Sequence, residues 1–153
     1  MNRRALIAAP VLLLSPVSAM AMTPDPEIKA AVERYAQAWG KGDVAAIVAC
    51  YGDDFTLHYA GHNALSGDHV GKPAALAALA EFSRRTERRL VRIVDAMGGA
   101  ERGVVIAREA LGKGAGRVEV ERTLVYTVRG GLFAGCWVYD TDQGLIDRLV
   151  GPA

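Results

Sequence analysis

The chain of 153 residues carries 18 Lys and Arg against 17 Asp and Glu, for a formal net charge of +1, and is 51% hydrophobic and 23% charged. That length suits one domain with a single core and excludes a multidomain assembly. The apolar share offsets the entropy of ordering the chain, which excludes a disordered polar polymer. The balanced charge gives no overall attraction to nucleic acid or to an anionic membrane, so only a local patch could supply either.

Residues 1–21 begin with Arg3-Arg4, continue through an apolar stretch from Ala5 to Val17 broken by Pro10 and Pro16, and end in Ala19-Met20-Ala21. A basic start, a short apolar middle and small residues before a cut are the layout of a signal peptide. The stretch is too short and too broken for a membrane span of about 20 residues, so no membrane insertion of the mature domain is expected. The expectation is an exported, periplasmic protein whose single domain covers residues 22–153; if Met22 is the true start, the protein is cytoplasmic. Cys50 and Cys136 have no motif spacing and read as buried free thiols, or as a pair if the protein is exported.

Asp25-Pro26 marks a helix start, and Ile28, Ala31, Val32, Tyr35, Ala36 and Trp39 then recur at three- and four-residue steps until Gly40 and Gly42. Asp43 caps a second, short helix with Val44, Ile47, Val48 and Tyr51 on its inner face, and Phe55 to Tyr59 reads as a strand. Residues 61–73 are polar and glycine-rich and are expected to form an irregular loop. A third helix runs from about Pro73 to Arg85. Four apolar, β-branched segments follow, Leu90 to Met97, Gly103 to Leu111, Val118 to Val128 and Leu132 to Tyr139, separated by glycine-rich turns. A last helix is expected from Gln143 to Leu149. Helices followed by an antiparallel meander imply an α+β domain, because neither layer can bury its apolar face alone.

The segments Val-Glu-Arg-Tyr-Ala-Gln-Ala-Trp-Gly-Lys-Gly-Asp (32–43), Tyr-Gly-Asp-Asp-Phe (51–55) and Gly-Asp-His-Val-Gly (67–71) resemble those of SnoaL-like members of the nuclear transport factor 2-like (NTF2-like) superfamily. The likeness runs from about Glu27 to Val150. It implies a cone-shaped α+β barrel, with N-terminal helices packed on a strongly curved, mixed and mostly antiparallel sheet, commonly a homodimer, with a pocket inside the cone. The superfamily spans isomerases, cyclases, hydrolases and non-enzymatic binders, so the fold alone does not choose an activity. Ketosteroid isomerases are relatives whose chemistry uses a carboxylate base, a tyrosine and a protonated aspartate. Tyr35 falls at the place of the tyrosine, but Tyr59 stands where the base belongs and the stretch from Arg122 to Val125 offers no aspartate. That mechanism is therefore not expected.

Three residues are candidates for catalysis. Asp142 follows the last strand, where the resemblance implies a carboxylate facing the pocket; a carboxylate beside an apolar cavity is suited to moving protons, and an N-cap of the last helix is the competing reading. Asp140 competes for either role. His58 carries an imidazole, a side chain suited to general acid–base work, and would act in the pocket if Thr56 and His58 point inward. Tyr35 would donate to developing negative charge. Trp39, Tyr59, His69, Trp137 and Tyr139 are candidates to line the substrate site, or are simply core.

His58, His62, His69 and Asp68 lie close in sequence, yet the His58–His62 spacing crosses from a strand into a loop, so no metal is expected. Arg84, Arg85, Arg88, Arg89 and Arg92 read as a solvated helix end without the interleaved aromatics of a nucleic-acid surface. Arg108, Glu109, Glu121 and Arg122 read as cross-strand charge pairs on an outer or dimer-facing surface. The resulting expectation is an acid–base enzyme without a cofactor, acting on a small apolar organic molecule as an isomerase, cyclase, lyase or hydrolase. The alternative is a non-catalytic ligand-binding or dimerisation module.

Overall fold

A computed structural model describes residues 22–152; the expected leader, residues 1–21, lies outside them. Helix α1 (Pro26–Lys41) starts where Asp25 accepts the backbone N–H of Glu27 at 2.7 Å, and it ends at Gly42, whose φ of 68° costs glycine nothing. Asp43 caps α2 (Val44–Ala49) by accepting from the Ala46 N–H at 3.0 Å. Strands β1 (Tyr51–Tyr59) and β2 (Gly67–Val70) precede α3 (Lys72–Thr86). Strands β3 (Arg89–Gly98), β4 (Gly103–Leu111), β5 (Val118–Arg129) and β6 (Leu132–Asp140) follow, and α4 (Gln143–Val150) completes the described fold.

The strands form one mixed sheet in the order β2-β1-β6-β5-β4-β3, in which β1 and β6 are parallel and all other neighbours antiparallel. The sheet stays open, with β2 and β3 at its edges. The buried stripe of α1 packs mainly on β3 and β4, while α3 lies against β1, so one core fills the space between the helices and the concave sheet.

Two expectations change. Tyr51 does not continue α2 but opens β1, opposite Phe133 of β6, and a register shift between Tyr51 and Thr56 absorbs Gly52-Asp53-Asp54. A Cβ on Gly52 would lie 3.3 Å from the Phe133 carbonyl oxygen, a tight approach that glycine permits. The loop over residues 61–73 is not wholly irregular either, because Gly67–Val70 pairs with Thr56–Tyr59 as an edge strand. Its polar residues hid it from apolar alternation, since an edge strand has little to bury.

Beneath α1 lies an aromatic nest. The Tyr35 ring meets Trp39, Tyr51, Tyr126 and Phe133 at centroid distances of 5.2–5.9 Å, and the Tyr51 hydroxyl donates to that of Tyr35 at 3.1 Å. Burial pushes the Tyr35 phenol up to about 12 and raises those of Tyr51 and Tyr126 well above the usual value of 10.0. Cys50 and Cys136 are both buried and free, and burial pushes the Cys136 thiol up to about 12.

These placements carry two consequences. In the folded chain the nest stays protonated where the unfolded chain begins to ionise, so the folded state binds more protons above pH 10 and loses stability as pH rises toward 12. Denaturant titrations should show a steep fall in that window, and phenolate absorbance of the nest should appear together with unfolding rather than before it. A second test concerns the seat of α1. A Cβ on Gly98 would lie 2.5 Å from the Lys29 Cα, a backbone atom that cannot swing aside. Gly98→Ala should therefore lower stability by about 1–3 kcal/mol in thermal unfolding. Gly40→Ala, in the open on α1, should raise it by about 0.5–1 kcal/mol.

Candidate functional site

Strand parity decides which predicted residues reach the interior. Along β1, Phe55, Leu57 and Tyr59 are buried in the core, which turns Thr56 and His58 to the outer face of the sheet. His58 therefore does not point into the cone as expected. Its ring stacks on Trp137 at 4.3 Å with planes 10° apart, and its Nδ1 lies 2.7 Å from Asp68 Oδ1. Trp137 and Tyr139 alternate with the buried Cys136 and Val138 and share that outer face, where Tyr139 is 56% exposed. Together His58, Asp68, Trp137 and Tyr139 border a shallow outer cleft.

The other loop and cap candidates serve the backbone. His69 Nε2 lies 2.8 Å from the Leu65 carbonyl oxygen, a contact that braces the 61–66 turn. Asp142 caps α4 by accepting the Leu145 N–H at 2.9 Å and is exposed to solvent. The carboxylate that braces this end of the chain is Asp147, which accepts from the Asn63 side chain at 2.6 Å and from the His62 N–H at 3.0 Å. Those bonds, the Asn63 amide foremost, hold its carboxyl below the usual range.

Tyr35, Trp39 and Tyr59 are inside, each in a different role. Between α2 and α3 lies a cavity of about 370 Å³, walled by Val44, Ile47, Val48, Leu76, Leu79 and Ala80. Its polar members are Tyr51, Ser83 and Arg88. Ser83 is occupied, donating from Oγ to the Leu79 carbonyl at 3.0 Å, which leaves the Tyr51 phenol and the Arg88 guanidinium as the cavity's polar chemistry. Tyr35 stands behind Tyr51 through the hydroxyl contact rather than in the cavity wall.

Arg88 follows the end of α3, where Glu87 adopts a left-handed conformation at φ 46° and turns the chain from helix into β3. The Arg88 guanidinium carbon lies 5.8 Å from the ring centroids of both Trp39 and Phe82, and its Nη1 is 3.4 Å from Glu109 Oε1. Trp39 thus braces the cavity's cation.

Behind Arg88 a charged network crosses the sheet. Glu109 on β4 is 0% exposed and Arg122 on β5 is 4% exposed. Arg122 donates to Glu109 Oε2 at 3.1 Å, to both oxygens of Asp140 at 2.5 and 3.1 Å, and to the Tyr59 hydroxyl at 3.0 Å. Its guanidinium carbon also sits 4.2 Å from the Phe82 ring centroid. Burial alone would favour loss of the Arg122 proton, but Tyr59, Glu109 and Asp140 hold the guanidinium protonated. Burial, aided by the Asp140 and Glu109 charges and opposed by Arg122, pushes the Tyr59 phenol up to about 12.

This network corrects the expectation of four charges on one outer surface. Arg108 and Glu121 do pair on the partly exposed face at 3.4 Å. Glu109 and Arg122 lie on the opposite, buried face. The signal was present in the sequence: Glu109 shares parity with Val105, Ala107 and Leu111, and Arg122 with Val120 and Leu124.

Comparison with known proteins agrees with this architecture. The model of the SnoaL-like domain matches residues 32–148. No functionally curated protein matches the chain. Among solved structures, Bal32a from a soil-derived mobile gene cassette is 20% identical with a TM-score of 0.71, covering 82% of this chain and 97% of its own. An NTF2-like protein of Burkholderia xenovorans LB400 is 22% identical with a TM-score of 0.65, covering 86% and 100%. TerC, crystallised with polyporic acid, is 16% identical with a TM-score of 0.65, covering 82% and 98%. At these identities the structures establish the cone-shaped fold, which this chain shares with an NTF2-like protein, and by the match over residues 32–148 the chain belongs to the SnoaL-like domain family.

Proposed function

We propose that this chain is an acid–base enzyme working without a cofactor on a small, largely apolar organic molecule held between α2 and α3. One observation carries the reading: an aliphatic cavity of about 370 Å³ meets a buried phenol and a braced guanidinium backed by a carboxylate. The cleft opens to solvent beside Val44, and a ligand seated against its aliphatic walls would displace water from the polar groups at its base. TerC, a neighbour of the same fold, was crystallised with polyporic acid, which supports this kind of fold as a seat for a small organic molecule.

The roles follow from placement. Tyr51, kept neutral by burial, donates its one proton to the Tyr35 hydroxyl in the structure and in this reading turns it on binding toward an oxygen on which negative charge develops. Arg88 holds the polar end of the ligand. Glu109 touches Arg88 from behind the cavity lining and has a buried Oε1 without a hydrogen bond; in this reading it is the proton acceptor. The network of Arg122, Asp140 and Tyr59 fixes its other oxygen. Asp142 and His58, the sequence candidates, contribute a helix cap and an outer-face contact in this scheme.

We also propose that a second copy of the chain covers the outer sheet face, where Val91 is 46%, Met97 43% and Tyr139 56% exposed. Sedimentation equilibrium should return twice the chain mass for the wild type and a shift toward the single mass for Tyr139→Asp; a wild-type monomer would exclude the dimer.

The chemistry is tested with a thermal-shift screen of small cyclic ketones, epoxides and aromatic acids, followed by turnover of those that bind. Tyr51→Phe should fold, bind and lose turnover by roughly 100-fold or more. Asp142→Asn should turn over as wild type, while Asp142→Ala loses about 0.5–2 kcal/mol of stability with its cap. Loss of turnover in Asp142→Asn with none in Tyr51→Phe would move the chemistry to the start of α4. Binding without turnover across the screen would make the chain a ligand-binding module.

A further inference from the structure

We propose that the cavity selects ligands bearing a carboxylate and that Arg88 is the residue that recognises it; the proposal rests on the reading of this cavity as the ligand site. The cavity walls are Val, Ile, Leu and Ala side chains, which discriminate by size alone. Arg88 is the one charged residue lining them, and its side chain is 24% exposed. A guanidinium has five N–H donors and no acceptor. Among the described residues, the Arg88 side chain is engaged only by Glu109, at the long distance of 3.4 Å and through Nη1. The remaining donors have no protein partner.

The surroundings make this cation a prepared one. Trp39 and Phe82 flank it at 5.8 Å each, so its direction is set before a ligand arrives and little side-chain entropy remains to be lost. Arg122 takes the other Glu109 oxygen and both oxygens of Asp140, so Arg88, the second counter-charge of the pair, meets Glu109 through one nitrogen and keeps its other donors toward the cavity. A cationic ligand would meet the Arg88 charge across apolar walls. A neutral ligand without an acceptor would displace water from the guanidinium without replacing its hydrogen bonds, and an amide oxygen would replace them with weaker, uncharged ones. A carboxylate matches the planar fork with two parallel N–H···O bonds. The volume of about 370 Å³ corresponds to about a dozen water-sized groups at roughly 30 Å³ each, which leaves room for one ring and a short chain.

The experiment uses 4-phenylbutyrate, its amide and 4-phenylbutylamine as probes of equal length, titrated calorimetrically into the wild-type protein. The acid should bind roughly 10- to 100-fold more tightly than the amide, with the amine weakest. Arg88→Gln should abolish the difference between acid and amide while leaving the amide affinity within about two-fold of wild type. Arg88→Lys keeps the charge facing Glu109 but loses the fork, and should retain a reduced preference. Equal binding of acid and amide by the wild type, or a preference that survives in Arg88→Gln, would overturn the carboxylate assignment and leave the cavity reading standing. Ile47→Trp, which fills the cavity, should abolish binding of all three probes. If none binds the wild type, or if Ile47→Trp binds them unchanged, both the assignment and the cavity reading fail.

Discussion

The buried guanidinium of Arg122 is the point on which the interior depends. It joins β4 through Glu109, β6 through Asp140 and the end of β1 through Tyr59, and it lies against Phe82 of α3. Taking charges out of water is costly, and a hydrophobic residue of similar volume would often be as stable at such a position. The arrangement is tolerable only because every charge has a partner: a guanidinium forked onto one carboxylate and bonded to a second, which in turn faces Arg88. Removing Arg122 would leave two carboxylates without their main counter-charge in a dry interior. Stability alone does not account for so expensive a cluster, whereas orientation of Arg88 at the cavity does, since Glu109 is fixed from behind before it meets Arg88.

The same curvature that makes room for the network makes the cavity. Helix α1 seats closely on β3 and β4, where Gly98 and Gly103 leave no space for a side chain between helix and sheet. The α2 and α3 side is looser: none of the α2 residues is fully buried, and its Val44, Ile47 and Val48 face Leu76, Leu79 and Ala80 of α3 across open volume. Close packing is the ordinary state of a protein interior, so a void lined by aliphatic side chains forfeits contacts that a longer side chain would supply. Its floor is not aliphatic. There Tyr51 supplies a phenol and Arg88 a cation, and beside apolar walls these groups act more strongly than they would in bulk water.

The sequence made the elements legible and left the faces partly hidden. Asp25-Pro26 with its helical apolar spacing located α1, and the turn-rich glycine clusters located β3 to β6, because these signals are local. The chain also resembles its family in segments on α1, β1 and β2. Tyr51 was read into α2 because its spacing suits a helix, but pairing with Phe133 is a long-range contact that no local pattern records. The parallel pairing of β1 with β6 was invisible for the same reason. The site was harder. Glu109 and Arg122 were read as outward because charged residues are seldom buried, and that prior overrode a parity that places them with Ala107 and Leu124. A role for His58 in the pocket is conditional on Thr56 and His58 pointing inward, and the parity of the buried Phe55, Leu57 and Tyr59 turns both outward.

Parity thus separates two kinds of work on one sheet. Every strand offers alternate residues to opposite faces, so a shift of one position exchanges an interior role for an exterior one. On the concave face the chain spends its charges in a closed network that ends at Arg88. On the convex face it places His58 against Trp137 and Asp68, beside the exposed Tyr139. An imidazole stacked at 4.3 Å on an indole and bonded to an exposed carboxylate is held in place by surface contacts. General acid–base chemistry gains most where water is excluded and charge is answered by fixed groups. By that criterion the proposed chemistry belongs with the buried charges of the concave face rather than with His58.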